Sequence, residues 1–171
     1  GVSPDIEVKQ ERLPNILFYL VRDNLIFDYA TDYCLKHPAI ASAKEFELTD
    51  ADYEEFKNKV KGADFKYDQQ SEKILNTLKE AAEFEGYMKD ASDEFKALEN
   101  KLKHNLDRDL DYFSKDIKKM IAEEIIKRYY YQEGAIIQQL KDDKDLDEAV
   151  KVLTNPERYQ QILSVTATEK K

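Results

Sequence analysis

EFKALENKLKHNLDRDLDYFSKDIKKMIAEEIIKRYYYQ, residues 94–132, is the stretch whose period decides the fold. Phe95, Leu98, Leu102, Leu106, Leu110, Phe113, Ile117, Met120 or Ile121, Ile125 and Tyr129 recur at spacings of three and four. That is the period of an α-helix with one apolar stripe. The stretch holds no Gly or Pro. It therefore predicts one long helix or two nearly collinear ones, with the polar cluster Asn105 to Asp111 as the place for a kink. Gly134 in a helix interior costs only about 1 kcal/mol relative to Ala, so the helix is expected to continue to about Leu140.

The same period governs the flanks. Ile16, Leu17, Leu20, Val21, Leu25, Ile26, Tyr29, Ala30, Tyr33 and Cys34 predict a first helix from Pro14 to Lys36, ended by His37-Pro38. Thr49-Asp50-Ala51-Asp52 resembles a capping box, opening a helix that carries Tyr53, Phe56 and Val60 to Gly62. Asp68 is the expected cap of a third helix with Ile74, Leu75, Leu78 and Ala82 as its core stripe and Gly86 as its end. Asp145 can cap a short helix through Leu153. Asn155-Pro156 opens a last one bearing Tyr159, Ile162 and Leu163. The fold class is all-α: an irregular multi-helix bundle with one long helix. Ahead of it, Pro4 and the alternation of Ile6 and Val8 with acids make residues 1–12 a short extended segment without an evident partner strand. Residues 13–165 form the helical domain, and 166–171 are expected to fray.

Composition narrows the function. Of 171 residues 42% are hydrophobic, enough for a core, and 37% are charged with a net charge of -9, which opposes nucleic acid and anionic membranes. The longest apolar run, Ile16 to Val21, is six residues, far short of the ~20 that a bilayer-spanning helix needs, so no direct membrane insertion is expected. A basic region followed by an apolar one is also missing, and an export signal would lie outside these residues.

Chemistry-bearing patterns have plainer explanations. Cys34, the single cysteine, excludes an intrachain disulfide and reads as a buried structural thiol. His37 and His104 are helix-end or surface residues, too few for a histidine metal site. Asp107-x-Asp109-x-Asp111 begins like a calcium loop, but Tyr112 and Lys118 stand where Gly and Glu are required. Asp143-x-Asp145-x-Asp147 lacks the turn glycine as well and fits the acidic start of a helix. Neither histidine has Glu three residues before it, so the carboxylate–histidine pattern of bundle metal sites is missing. None of the six serines lies in a nucleophile turn, and Ser92 reads as a helix start. No Gly-rich loop speaks for a nucleotide. No cofactor, metal or catalytic residue is assigned.

One cluster asks for more: Lys127-Arg128-Tyr129-Tyr130-Tyr131-Gln132. Adjacent helical residues point ~100° apart, so Tyr129, Tyr130 and Tyr131 cannot all face one core. Either two pack internally and the third is half exposed, or the cluster is a protein-contact patch.

Gly1-Val2-Ser3-Pro4-Asp5-Ile6-Glu7-Val8 resembles the Gly-x-x-Pro-Asp-x-x-Val segment that closes the catalytic domain of carboxy-terminal processing (tail-specific) serine peptidases. Asn24-Leu25-Ile26-Phe27-Asp28-Tyr29-Ala30, Leu48-Thr49-Asp50-Ala51-Asp52-Tyr53, Arg128-Tyr129-Tyr130-Tyr131-Gln132, Ala149-Val150-x-Val152-Leu153 and Tyr159-x-x-Ile162-Leu163 are similar to the helical extension of long members. The resemblance thus spans nearly the whole chain. It implies a Ser/Lys peptidase with a PDZ domain, exported to the bacterial periplasm or cell envelope, whose catalytic residues lie upstream of this chain. Residues 1–12 would then be the end of the protease core. The helical domain would be non-catalytic and serve intramolecular packing, homo-oligomerisation, or docking of an adaptor or protein substrate. The competing reading is a free-standing helical interaction module.

Overall fold

The computed structural model describes residues 4–9 and 12–168; the sequence expectations for 1–3, 10–11 and 169–171 lie outside the described residues. It is all-helical, as the periodicity requires: α1 (Asn15–Arg22), α2 (Leu25–Lys36), α3 (Asp50–Gly62), α4 (Gln70–Phe84), α5 (Ser92–Leu102), α6 (Leu106–Tyr112), α7 (Ser114–Gln139), α8 (Lys144–Leu153) and α9 (Pro156–Thr168). Residues 4–9 carry neither helix nor strand. α9 extends through 166–168, where the sequence alone suggests fraying.

The expected first helix is two. Asn24 adopts a left-handed backbone (φ 57°) between α1 and α2, a conformation that asparagine tolerates better than most residues. The Asp23 N–H donates to the Tyr19 carbonyl at 2.9 Å and the Asn24 N–H to that of Val21 at 3.0 Å, closing α1. Because neither residue is Gly or Pro, the apolar stripe runs unbroken through the turn.

Other boundaries follow local chemistry. At α3 the Asp52 N–H donates to Thr49 Oγ1 at 3.2 Å and the Thr49 N–H to Asp52 Oδ2 at 3.1 Å, the reciprocal capping box. α4 ends in a Schellman turn: Gly86 is left-handed (φ 82°), with Tyr87 N–H to the Ala82 carbonyl at 2.8 Å and Gly86 N–H to that of Glu83 at 3.1 Å. Three expected caps are displaced. Asp68 leaves the α4 start uncapped and accepts from Lys73 Nζ at 2.5 Å. Ser92 is the first helical residue of α5 and makes no cap bond. Asp143, rather than Asp145, caps α8, accepting from the Asp145 and Leu146 N–H groups at 2.9 and 3.0 Å. The expected 105–111 kink is replaced by two breaks that flank the cluster: α5 stops at Leu102 and α6 restarts after Asn105, which caps it, and Phe113 separates α6 from α7.

One core unites α1, α2, α3, α6, α7 and the 43–48 loop around Leu20, Phe56, Leu110, Ile117, Ile121, Ile125 and Ile126, all fully buried. Full burial of each such side chain contributes about 1.5–3 kcal/mol. Interior hydroxyls are paired: Tyr29 donates to the Asp52 carbonyl at 2.7 Å and Tyr53 to that of Leu110 at 2.6 Å, tying α2 to α3 and α3 to α6. Among the described residues, α4, α5, α8 and α9 contribute nothing to this cluster. α4 packs on α5, and α8 on α9. Ile74 and Leu78, expected in the core stripe of α4, are 60% and 52% exposed; only Leu75 and Ala82 are buried there.

Candidate functional site

The long helix carries the tyrosine cluster, and it turns back on itself there. Tyr131 leaves helical geometry altogether (φ 54°, ψ -151°), at the border of a region that is essentially reserved for glycine and costs on the order of 1–3 kcal/mol elsewhere. Beyond it, residues 132–139 run back along 123–130. Gln139 Nε2 donates to Glu123 Oε1 at 2.7 Å although the two are 16 residues apart; in a straight helix that separation is about 24 Å. Lys119 and Asp142 meet at 3.8 Å. Gly134 sits where a Cβ would lie 2.4 Å from Tyr130 Cβ and 2.8 Å from Ile126 Cγ2. No side chain fits between the two arms, so this glycine is required by close approach and not merely tolerated as a helix residue.

The three tyrosines divide by this geometry. Tyr129 is half-buried and its hydroxyl donates to the His37 carbonyl; burial, then its interaction with Cys34, pushes the phenol up to about 12. Tyr130 reaches the same loop, donating to the Ala41 carbonyl at 3.1 Å. Tyr131 is 78% exposed at the turn. The cluster thus combines two loop fasteners with one outward side chain.

Sequence reasoning missed the roles of three residues in and beside the cluster. Arg128 joins α7 to α2, donating to the Phe27 carbonyl and Thr31 Oγ1 at 3.1 Å each, pairing with Glu124 at 2.8 Å and lying 4.6 Å over the Phe27 ring. Gln138 is buried and donates to the Phe46 carbonyl at 2.9 Å, which also accepts from Lys141 Nζ at 3.0 Å. Gly134 is the third, and its place three residues after the tyrosine run was the available signal.

The remaining candidates are engaged structurally. Cys34 is partly rather than fully buried, against the core. His37 stacks on Tyr33 with ring centroids 4.0 Å apart, and its Nδ1 lies 2.8 Å from the Tyr33 carbonyl. His104 meets the Tyr67 ring edge-on at 4.6 Å. Asp107, Asp109 and Asp111 lie on α6: Asp107 pairs with Lys61, Asp111 with Lys57 at 2.7 Å, and buried Asp109 accepts from Tyr67 and Gln69 at 2.5 and 2.9 Å. Among the described residues no three His, Cys, Asp or Glu side chains gather as metal ligands, and no helix is long and apolar enough to cross a membrane.

The Pro4-Asp5 segment has its own place. Ile6 and Val8, half-buried while Asp5, Glu7 and Lys9 are exposed, face α8 across a shallow cavity of about 390 Å³ lined by Ala149, Val152 and Leu153. On its rim Arg158 donates to Glu148 at 2.6 Å and holds that carboxyl below its usual range.

Helices fastened to one another and to loops through hydroxyls, amides and guanidinium groups make this an all-helical domain. The comparison with known families is specific: the model for "Probable PDZ-protease, C-terminal helical domain" matches residues 16–153, and the chain belongs to that family. The resemblance to the helical extension of carboxy-terminal processing peptidases is thereby borne out, and the family's name ties the domain to a protease. No curated protein and no solved structure matches the chain.

Proposed function

We propose that this chain is the non-catalytic C-terminal helical domain of a serine endopeptidase that cleaves near protein C-termini by a Ser/Lys mechanism, and that it supports the protease core by packing against it. The observation that carries this reading is the family match over residues 16–153. The position of Ile6 and Val8 across a shallow cavity from α8 supports it, because the segment that resembles the end of the catalytic domain lies beside the helical one. Exposed Ile74, Leu78 and Phe84 on α4 supply apolar surface for a larger neighbour. The parent is expected in the bacterial periplasm or cell envelope.

The test compares the full parent with a version lacking residues 13–171, using an unstructured protein substrate. Packing support predicts that the truncated enzyme loses both thermal stability and cleavage, while the 171-residue chain alone cleaves nothing. Unchanged activity and stability would favour adaptor docking or a separate interaction role. An immunoblot should show a band several domains larger than 20.1 kDa in the envelope fraction; a cytoplasmic band at that mass would indicate a free-standing module.

A further inference from the structure

The turn at Tyr131 joins two helical arms through a single residue, without an intervening loop. Such a joint has two solutions. In the closed one, seen here, Tyr131 takes the strained backbone, and Gly134 and Gln139 meet Ile126 and Glu123 of the same chain. In the open one Tyr131 returns to helical angles and 114–139 become one straight helix about 39 Å long. The sequence is compatible with the open form, since residues 125–139 contain no proline and a single glycine, Gly134.

Opening strips the closed contacts from one chain, but a second copy opened in the same way restores each of them. Its Gly134, Gln138 and Gln139 fit the Ile126, Phe46 and Glu123 sites of the first, and the reverse. The net change is relief at Tyr131 against the entropy of association. The surface beside the hinge also suits a crossing of two straight helices: Tyr131 is 78% exposed and Ile136 47%. Short hinges under strain are the usual setting for such exchange.

We propose that this chain forms a domain-swapped dimer in which residues 132–168 are exchanged by straightening α7 at Tyr131. The partner is a second copy of the chain, and the inference does not rest on the peptidase reading.

Two variants test it, each carrying Cys34→Ser, one with Glu123→Cys and the other with Gln139→Cys. They are mixed, partially unfolded, refolded at high concentration, and treated with a short bis-maleimide. Exchange predicts a dimer by light scattering in which the two different chains are covalently joined. A dimer that yields no such cross-linked pair, or a chain that remains monomeric up to millimolar concentration, would overturn the proposal. Tyr131→Gly relieves the closed turn and weakens the straight helix, so the concentration needed for dimerisation should rise about tenfold or more. An unchanged dimerisation constant in that variant would remove Tyr131 as the hinge and the proposal with it.

Discussion

The helices of this domain carry similar apolar stripes and meet different fates. In α2, α3 and the first arm of α7 most of the stripe is covered, down to Phe56, Ile121 and Ile125 at 0% exposure. In α4 and α5 an equally regular stripe stays largely open, with Phe84 at 94% and Leu98 at 42%. The difference teaches that helical period establishes which face is apolar, whereas coverage depends on neighbours that lie far away in sequence. The inner helices are a scaffold in their own right. The outer pairs, α4 with α5 and α8 with α9, are attached to it and present surface.

The contrast can be broken most forcefully at its centre. Phe56→Ala should lower unfolding free energy by about 3–5 kcal/mol, read from urea titrations followed by circular dichroism; a loss near that of a surface substitution would deny the scaffold its core. Alkali attacks the same region next, because Tyr29 and Tyr53 are buried and Tyr67 is half-buried, and desolvation holds their phenols well above the ordinary value of 10.0. A group raised in the folded state gives stability that is complete below its unfolded value and is lost above it. The urea midpoint should therefore fall as pH rises above about 10, and Tyr53→Phe should flatten that fall.

Gly134→Ala distinguishes two physical effects by sign. Helix propensity alone predicts a gain of about 1 kcal/mol, while the overlap with Tyr130 and Ile126 predicts a loss of about 1–3 kcal/mol. The fold-back of α7 requires the loss. Thr49→Ala removes the capping box and should cost about 1 kcal/mol. At the small end, Ile74→Ala and Leu78→Ala should each change stability by no more than about 0.5 kcal/mol, since both side chains are exposed. A loss of about 2 kcal/mol or more would place α4 back in the core and erase the contrast.

Much of this is legible in the sequence. The all-helical class, the capping box at Thr49, the Gly86 stop and the Asn155-Pro156 start follow from side chains that bond their own backbone or free its angles. The two interruptions were not legible, since Asn24 and Tyr131 adopt a positive φ where glycine is the ordinary signal. Both lie inside unbroken apolar stripes, so the pattern conceals the turn. The tyrosine cluster was visible as a problem in directions, but its division into fasteners and one exposed ring depends on the loop at 37–41, some ninety residues away.

Hydrogen exchange of the 171-residue chain, followed by mass spectrometry at neutral pH, tests the division between scaffold and outer helices most directly. Amides of α2, α3 and residues 114–130 should exchange slowest and together, with α4–α5 and α8–α9 opening separately and much sooner. Equal protection of α4–α5 and the first arm of α7 would contradict it.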